Sequence, residues 1–154
     1  MTSPPVDAVV VDASAVVELV LAAGEVGRWV EGTLEGSQLW APSVMPFEVA
    51  NALRRNVVTM VLDEGAMRVA LAELLALPVI LVPFAHLATR AWELRANLTM
   101  YDASYVALAE LLDAPLVTLD ARIARAPGVR CEVRAFAPPG EDQTVSSEPD
   151  STDA

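Results

Sequence analysis

The run AVVVD at residues 8–12 decides how the rest of this chain folds. One alanine and three β-branched valines in succession predict a short strand that is buried on both faces. A second strand is predicted for LVTLD at residues 116–120. Both runs end on an aspartate, Asp12 and Asp120, so each predicted strand places a carboxylate at its carboxyl end.

Helical segments alternate with extended ones along the rest of the chain. Helices are predicted from Ser14 to a break at Gly24 and on to about Glu35, from a cap at Ser43 through Arg55, over Asp63–Leu77, from about Phe84 to Ala96, from Thr99 through Asp113, and briefly up to Ala126. Further extended segments are predicted at Leu39–Pro42 as a small strand or turn, at Val79–Val82, and at Cys131–Phe136 as an edge strand. The alternation predicts an α/β fold in which helices flank a central parallel sheet.

Negative charge is concentrated at the carboxyl end of the chain. Five acids and no basic residue follow Pro138, and removing their charge from the net −11 leaves −6 on the body. Residues 138–154 are predicted to be a disordered acidic tail, residues 1–137 a single domain, and residues 1–7 within it a loose leader. If divalent metal neutralised four acids of the body, the net charge of the body would be about −2. The acidity therefore does not exclude a nucleic-acid substrate, although it predicts weak non-specific binding to nucleic acid.

The basic and sulfur-bearing residues exclude several classes of site. All ten basic residues are arginine, which excludes chemistry that needs a lysine, including that of response-regulator receiver domains and haloacid-dehalogenase-type phosphatases. The single cysteine, Cys131, excludes an internal disulfide framework and a cysteine-rich zinc site. Cys131 is therefore interpreted as a half-buried strand residue.

No membrane segment and no signal peptide are expected. The longest apolar stretch, near Leu74–Ala85, is too short to span a bilayer and is interrupted by Pro78 and Pro83. The opening MTSPPVDAVVV lacks the basic region of a signal peptide. A cytoplasmic protein is therefore expected.

Four acids are candidates for a common site, although each has an ordinary explanation by itself. An aspartate between a strand and a helix is a favoured N-cap, which suits Asp12 and Asp120. Asp102 stands three residues after Thr99, as in a capping box. Glu48 shares a helical face with Asn51, Ala52 and Arg55, which is typical of a solvated stripe.

Together the four acids indicate a metal site. Ligands of open parallel sheets bind beyond the carboxyl ends of the strands, where Asp12 and Asp120 are expected. Asp102, in the first turn of a helix that leads into the second strand, and the helical Glu48 would complete a negative concavity. Carboxylates that repel one another are stabilised by cations, and oxygen ligands without histidine or cysteine clusters favour Mg²⁺ or Mn²⁺.

Four segments resemble the motifs of PIN domains, especially those of the VapC-type toxins of bacterial toxin–antitoxin pairs. They are VVVDASAVVE at 9–18, FEVANALRR at 47–55, YDASYVALAE at 101–110 and LVTLDARIARAPG at 116–128, in the family's order and spacing. The resemblance covers about residues 8–136 and implies a PIN-like three-layer sandwich. It implies an active site formed by Asp12, Glu48, Asp102 and Asp120, in which Asp12 and Asp102 are the foremost metal ligands.

The same resemblance implies an activity and partners. It indicates a Mg²⁺- or Mn²⁺-dependent endoribonuclease that acts as the toxin of a VapBC-type module, forms a homodimer and is inhibited by a VapB-type antitoxin. Structured RNAs such as tRNA or ribosomal RNA, cut in an accessible single-stranded loop, are the expected substrates. The alternative is a non-catalytic PIN-like module that binds RNA or protein.

Residues near the four acids are candidates for supporting roles. Ser14 and Thr118 each lie two positions from an aspartate, and Asn51 lies one turn after Glu48, so their polar groups would orient ligands or water. Routine capping and strand composition are the alternative explanation. Arg122 and Arg125 follow Asp120 and would either meet phosphate or pair with nearby acids.

Other residues attract less specific interpretations. Trp29, Trp40 and Trp92 are expected to pack in the core or a dimer rather than to stack on bases, and His86 is expected to be structural. Arg54 and Arg55 would contact RNA or an antitoxin, or simply end a solvated helix. Helices Val16–Ala23 and Val44–Val58 are rich in apolar residues, so an antitoxin helix lying between them is one explanation, and core or homodimer packing is the other.

Overall fold

Five parallel strands form the centre of the protein. The computed structural model describes residues 7–21, 24–58 and 63–138. The strands in this part of the chain are β1 (Ala8–Val11), β2 (Gln38–Pro42), β3 (Val79–Val82), β4 (Leu116–Thr118) and β5 (Val133–Ala135). They pair in the order β3-β2-β1-β4-β5. This sheet confirms the predicted α/β sandwich and places the two aspartate-terminated strands, β1 and β4, side by side at its centre.

Seven α-helices in the described ranges connect and cover the strands. They are α1 (Ala13–Leu21), α2 (Gly24–Leu34), α3 (Met45–Val58), α4 (Glu64–Ala76), α5 (Ala88–Glu93), α6 (Met100–Leu112) and α7 (Ala121–Arg125), with a 3₁₀ turn at Phe84–His86. The predicted interruption at Gly24 is confirmed, since this glycine has a φ of 70° and α2 begins there. Asp63 caps α4 by accepting a hydrogen bond from the Ala66 N–H, as its predicted start requires.

Three elements are shorter than the sequence predicts. β4 ends at Thr118 because Asp120 leaves the sheet and caps α7, its Oδ1 accepting the Arg122 backbone N–H at 3.0 Å. β5 is an edge strand, as predicted, but only Val133–Ala135 pair with β4. The helix predicted from Phe84 to Ala96 is a 3₁₀ turn followed by α5, which closes with the Leu94 N–H bonded only three residues back to the Ala91 carbonyl.

The start of α3 also differs from the prediction. The Val44 carbonyl accepts the N–H groups of Phe47 and Glu48 at 3.1 and 3.2 Å, so Val44 holds the cap position that was predicted for Ser43. The Ser43 N–H instead donates to the Val82 carbonyl at 2.9 Å and continues the pairing of β2 with β3. Glu48 thereby falls in the first turn of α3.

Helix α6 runs through the core and fixes the position of Asp102. Residues 103–109 are all buried, which is expected of a helix that is apolar on every side. The Thr99 hydroxyl accepts the Asp102 N–H at 3.1 Å and begins the helix, as predicted. The helix ends at Asp113, whose φ of 50° is a left-handed conformation that aspartate tolerates.

Some predictions fall on residues that the structure does not describe. The leader lies largely in residues 1–6, and all but the first residue of the acidic tail lies in residues 139–154, both outside the described ranges. Among the described helices, none is both long and apolar enough to cross a bilayer.

Candidate active site at the carboxyl end of the sheet

The topology brings the strand-end aspartates together. β1 and β4 are parallel neighbours with Val11 opposite Val117, and the Asp12 N–H donates to the Val117 carbonyl at 2.9 Å. Their carboxyl ends therefore coincide, and Asp12 and Asp120 follow at the same edge of the sheet.

Two hydroxyl groups hold the Asp12 carboxylate in place. Asp12 is only 7% exposed, and its Oδ2 accepts hydrogen bonds from Ser14 Oγ at 2.7 Å and Thr118 Oγ1 at 2.6 Å. Ser14 Oγ also accepts the Leu119 N–H at 3.1 Å, and Thr118 Oγ1 accepts the Asp120 N–H at 3.0 Å. The two hydroxyls thus tie the end of β1 to the end of β4 and fix the rotamer of Asp12.

Glu48 is held by a tyrosine from the core. The Tyr105 hydroxyl donates to Glu48 Oε2 at 2.6 Å, and the tyrosine itself is 0% exposed. Burial raises the pKa of Glu48, the hydrogen bond from Tyr105 opposes this, and the charges of Asp12 and Asp102 raise it further. Burial and the neighbouring Glu48 raise the pKa of Tyr105, so the phenol remains a protonated donor.

Asp102 completes a set of mutually repelling carboxylates. Burial raises its pKa, a hydrogen bond with Thr99 opposes the rise, and the charges of Asp12 and Asp120 add to it. Like-charge effects on a pKa of this kind require carboxylates that lie close together in a poorly solvated place. Asp12, Glu48 and Asp102 therefore form one electrostatic cluster, which reaches Asp120 through Asp102.

Asp120 differs from the other three acids because an arginine neutralises it. Arg122 Nε lies 2.9 Å from Asp120 Oδ1, and its terminal nitrogen lies 2.7 Å from Oδ2. This ion pair holds the pKa of Asp120 below its usual range. Of the two interpretations of Arg122, pairing with a nearby acid is the one observed, while Arg125 lies exposed one turn further along α7.

Other candidates from the sequence lie apart from the acids or face elsewhere. Asn51 Oδ1 accepts the Nε–H of Arg54 at 3.1 Å, so its amide oxygen is directed to an arginine rather than to Glu48. His86 is exposed in the 3₁₀ turn. Trp29 and Trp40 pack against the core as predicted, whereas Trp92 is 60% exposed and lies under the Arg95 guanidinium.

One supporting residue escapes sequence reasoning. Tyr105 lies in the apolar run YVALA, where a tyrosine is interpreted as core, and nothing local connects it with Glu48, 57 positions earlier. A usable signal is its place three residues after Asp102 on one helix, because residues at that spacing share a helical face. Tyr105 is therefore both a buried core residue and a hydrogen-bond partner of the site residue Glu48.

A cavity also lies near the amino end of strand β4, at the opposite end of that strand from the four acids. It has a volume of about 430 Å³ and is lined by the C-terminal end of α6 and by Pro115, which precedes β4. Its most buried acid, Glu110, pairs with Arg90 at 2.6 Å. Burial acts to raise the pKa of Glu110, but the hydrogen bonds and charge of Arg90 hold that pKa below its usual range. The charge of Glu110 is therefore already balanced by an arginine.

The donor set suits a hard divalent cation with an incomplete protein shell. In residues 7–21, 24–58 and 63–138, no three acidic, histidine or cysteine side chains stand close enough to enclose a metal ion. Mg²⁺ does not need such an enclosure, because it usually keeps several waters and binds one or two carboxylates. Burial is the main cause that raises the pKa of Glu48 and of Asp102, and the charges of neighbouring acids add to it; a bound cation would oppose both effects. The residues present therefore fit such an ion.

Known proteins are similar to this chain in sequence and in fold. The chain matches the PIN domain over residues 9–129. Ribonuclease VapC1 of Mycobacterium tuberculosis is 42% identical over 132 residues, covering 83% of this chain and 97% of that protein, and Ribonuclease VapC12 of the same species is 38% identical over 129 residues, covering 84% and 99%. The crystal structure of PAE2754 from Pyrobaculum aerophilum is 27% identical, with a TM-score of 0.59 and coverage of 83% of each chain.

Proposed function

This chain belongs to the PIN-domain family, in its VapC group, and we propose that it is a metal-dependent endoribonuclease and the toxin of a VapBC-type module. The proposal is supported by relatives that are named ribonucleases and that align with it over nearly their whole length. The observation that carries it is the placement of Asp12, which follows β1 at the carboxyl end of the sheet and is held there by hydrogen bonds from Ser14 and Thr118.

We assign Mg²⁺ or Mn²⁺ to this site. Asp12 and Asp102 would be the direct ligands, with Glu48 and Asp120 completing the acidic surroundings. When bound, such an ion polarises a phosphate oxygen and lowers the pKa of an attacking water. Ser14 and Thr118 would keep Asp12 in its binding orientation, because both hydroxyls end on the same carboxylate oxygen.

Of the two acids that are not assigned as direct metal ligands, Glu48 is better suited than Asp120 to accept a proton. Burial and two neighbouring acids raise its pKa, so it takes up a proton more readily than an exposed glutamate does. Tyr105 limits that rise and holds the carboxylate in one orientation. Asp120 is less suited to this role, because the Arg122 ion pair keeps it charged.

The substrate is proposed to be a single-stranded loop of a structured RNA, such as tRNA or ribosomal RNA. Glu48 lines one open groove, and Asp102 and Asp120 line another, so the acids border surfaces that an unpaired loop can reach. Sequencing of RNA ends after pulse expression tests this, with Asp102→Asn as the matched control. New ends at discrete loop positions that require Asp102 are expected, and identical ends in both strains would contradict the proposal.

A VapB-type antitoxin is the proposed regulator, and the toxin is proposed to be a homodimer. An arginine or lysine placed among the acids would compete with metal and block the phosphate path. A groove between α1 and α3 receives little support, because these helices pack on each other and bury Val16, Val49 and Leu53 in the core. Co-expression with the adjacent open reading frame should give a stable complex in which the partner places a basic side chain near Asp12 and Asp102. If the protein purifies without a partner and does not harm cells, the antitoxin proposal is wrong.

A further inference from the structure

Two aromatic rings stand exposed beside the acidic site. Phe47 is 76% exposed and precedes Glu48 in α3, while Tyr101 is 58% exposed and precedes Asp102 in α6. Large apolar side chains in isolated surface positions need no explanation, but these two come from different helices and line one groove. Each of them is therefore the chain neighbour of an acid proposed for the reaction.

The groove between the rings borders the acidic site at Glu48. Its volume is about 520 Å³, and its lining combines the two rings and Val44 with the polar side chains of Glu48, Asn51 and Arg55. Glu48 thus borders the groove and also receives the hydrogen bond from Tyr105. A group that fills the groove would lie directly against the reacting centre.

We infer that this groove is a base-stacking subsite, in which a nucleobase flanking the cleaved phosphate lies against Phe47 and Tyr101. The inference rests on the proposed ribonuclease function and extends it to the recognition of substrate. Exposed aromatic rings are the usual platform for unpaired bases, because every base offers a π-face. Asn51, whose amide oxygen accepts the Arg54 Nε–H, also lines this groove and gives it a polar side.

The composition of the groove favours a nucleobase over a protein helix. A helix bound in a groove relies on a row of apolar anchors about one turn apart, so it needs a long apolar track. Among the residues that the structure describes, the apolar lining consists of two rings and one valine, beside three polar side chains. A flat, polar-edged ring suits this surface better.

Alanine substitutions of the two rings test the subsite. The substrate is a labelled single-stranded RNA of about twelve nucleotides of mixed sequence, cleaved in Mn²⁺. Phe47→Ala and Tyr101→Ala should each raise KM about 5- to 150-fold, which is the range for loss of one base stack. Phe47→Trp should keep KM near the wild-type value, because tryptophan also offers a π-face. Phe47→Leu should raise KM as Phe47→Ala does, because leucine keeps apolar area without a π-face. Trp92→Ala is the matched control, since Trp92 is an equally exposed aromatic outside the groove and should leave KM unchanged.

A second substrate series identifies the stacked base. Replacing one nucleotide at a time by an abasic residue should raise KM for the wild type at one position next to the cut. The same replacement should have no further effect on Phe47→Ala. Melting temperature and elution volume should stay unchanged in every variant, because the rings are exposed.

The outcomes separate this inference from the proposed function. If the wild type cleaves and the alanine variants have unchanged KM, the stacking subsite is wrong and the ribonuclease proposal stands. Recovery of KM by Phe47→Leu would show that apolar area, and not a π-face, is what the RNA contacts, and would overturn the stacking subsite. A changed elution volume would show that the groove contacts a second copy of the chain, and would overturn it as well. If the wild type cleaves no RNA, both proposals fail.

Discussion

Removal of the Tyr105 hydroxyl is a precise perturbation of the site. Tyr105→Phe keeps the buried ring and creates no cavity, and it deletes only the group that donates to Glu48 Oε2 at 2.6 Å. Since the tyrosine is 0% exposed, phenylalanine fits the same apolar surroundings. The effect therefore comes from the lost hydrogen bond to Glu48 and from the lost contact of the hydroxyl with the Ala13 backbone, and only the first depends on the charge of Glu48.

The size of the effect follows from the charge of the acceptor. A hydrogen bond to a charged group contributes about 1.5–3 kcal/mol, but Glu48 borders an open groove and can regain water when the donor is lost. The expected loss of stability at neutral pH is therefore about 1–2 kcal/mol, or about 3–8 °C in melting temperature for a domain of this size. The hydrogen bond lowers the pKa of Glu48, so it favours the ionised form. Its contribution is thus larger above the folded pKa of Glu48 and smaller below it.

Unfolding of metal-free wild type and Tyr105→Phe at about pH 7.5 and about pH 4 measures this difference. The gap in stability should be largest at the higher pH. In a Glu48→Gln background the same substitution should cost less, because the acceptor is then neutral. Equal losses at both pH values, or in both backgrounds, would refute the assignment of Tyr105 as the group that supports an ionised Glu48.

Three further predictions concern the remaining features of the site and the chain. Burial and the charges of Asp12 and Asp120 raise the pKa of Asp102, so metal-free protein should lose stability as the pH rises from about 4 through that raised pKa. Calorimetry at neutral pH should show that Asp102→Asn melts at the same temperature as the wild type or higher. A clear fall in melting temperature would contradict the repulsion. Arg122→Gln should raise the pKa of Asp120 in an NMR titration with little change in melting temperature, and an unchanged titration would refute the ion pair. Truncation after Pro138 removes five acids and should leave the melting temperature nearly unchanged while modestly raising RNA affinity at low salt; a drop of many degrees would show that the tail is part of the fold.

The parts of the fold that sequence predicts are those with a local signature. The valine run of β1, the caps at Asp63 and Thr99 and the glycine that begins α2 each act within a few residues, so their patterns are legible. The meeting of Asp12 with Thr118 was also predictable, because parallel strands must end at the same edge. Local order and one topological rule therefore account for most of the sheet and for the convergence of its aspartates.

The parts that sequence does not predict depend on contacts between distant segments. Tyr105 looks like an ordinary core residue until α3 places Glu48 against it. Asn51 has the spacing to face Glu48, yet Arg54, one turn away, takes its amide oxygen. The segment Phe84–Ala96 has helical composition, but the chain tightens into turns at Leu87 and Leu94, both of which are buried in the core. In each case a tertiary contact decides between options that are locally equivalent.

Metal-dependent cleavage by purified protein tests the central claim most directly. Wild type should cut RNA in Mg²⁺ or Mn²⁺ and stop when EDTA is added, because the proposal has the acids at the carboxyl end of the sheet act through a divalent cation. Asp102→Asn should retain the fold, judged by its circular dichroism and melting temperature, and should lose cleavage. Cleavage by the wild type in EDTA, or undiminished cleavage by Asp102→Asn, would contradict the account.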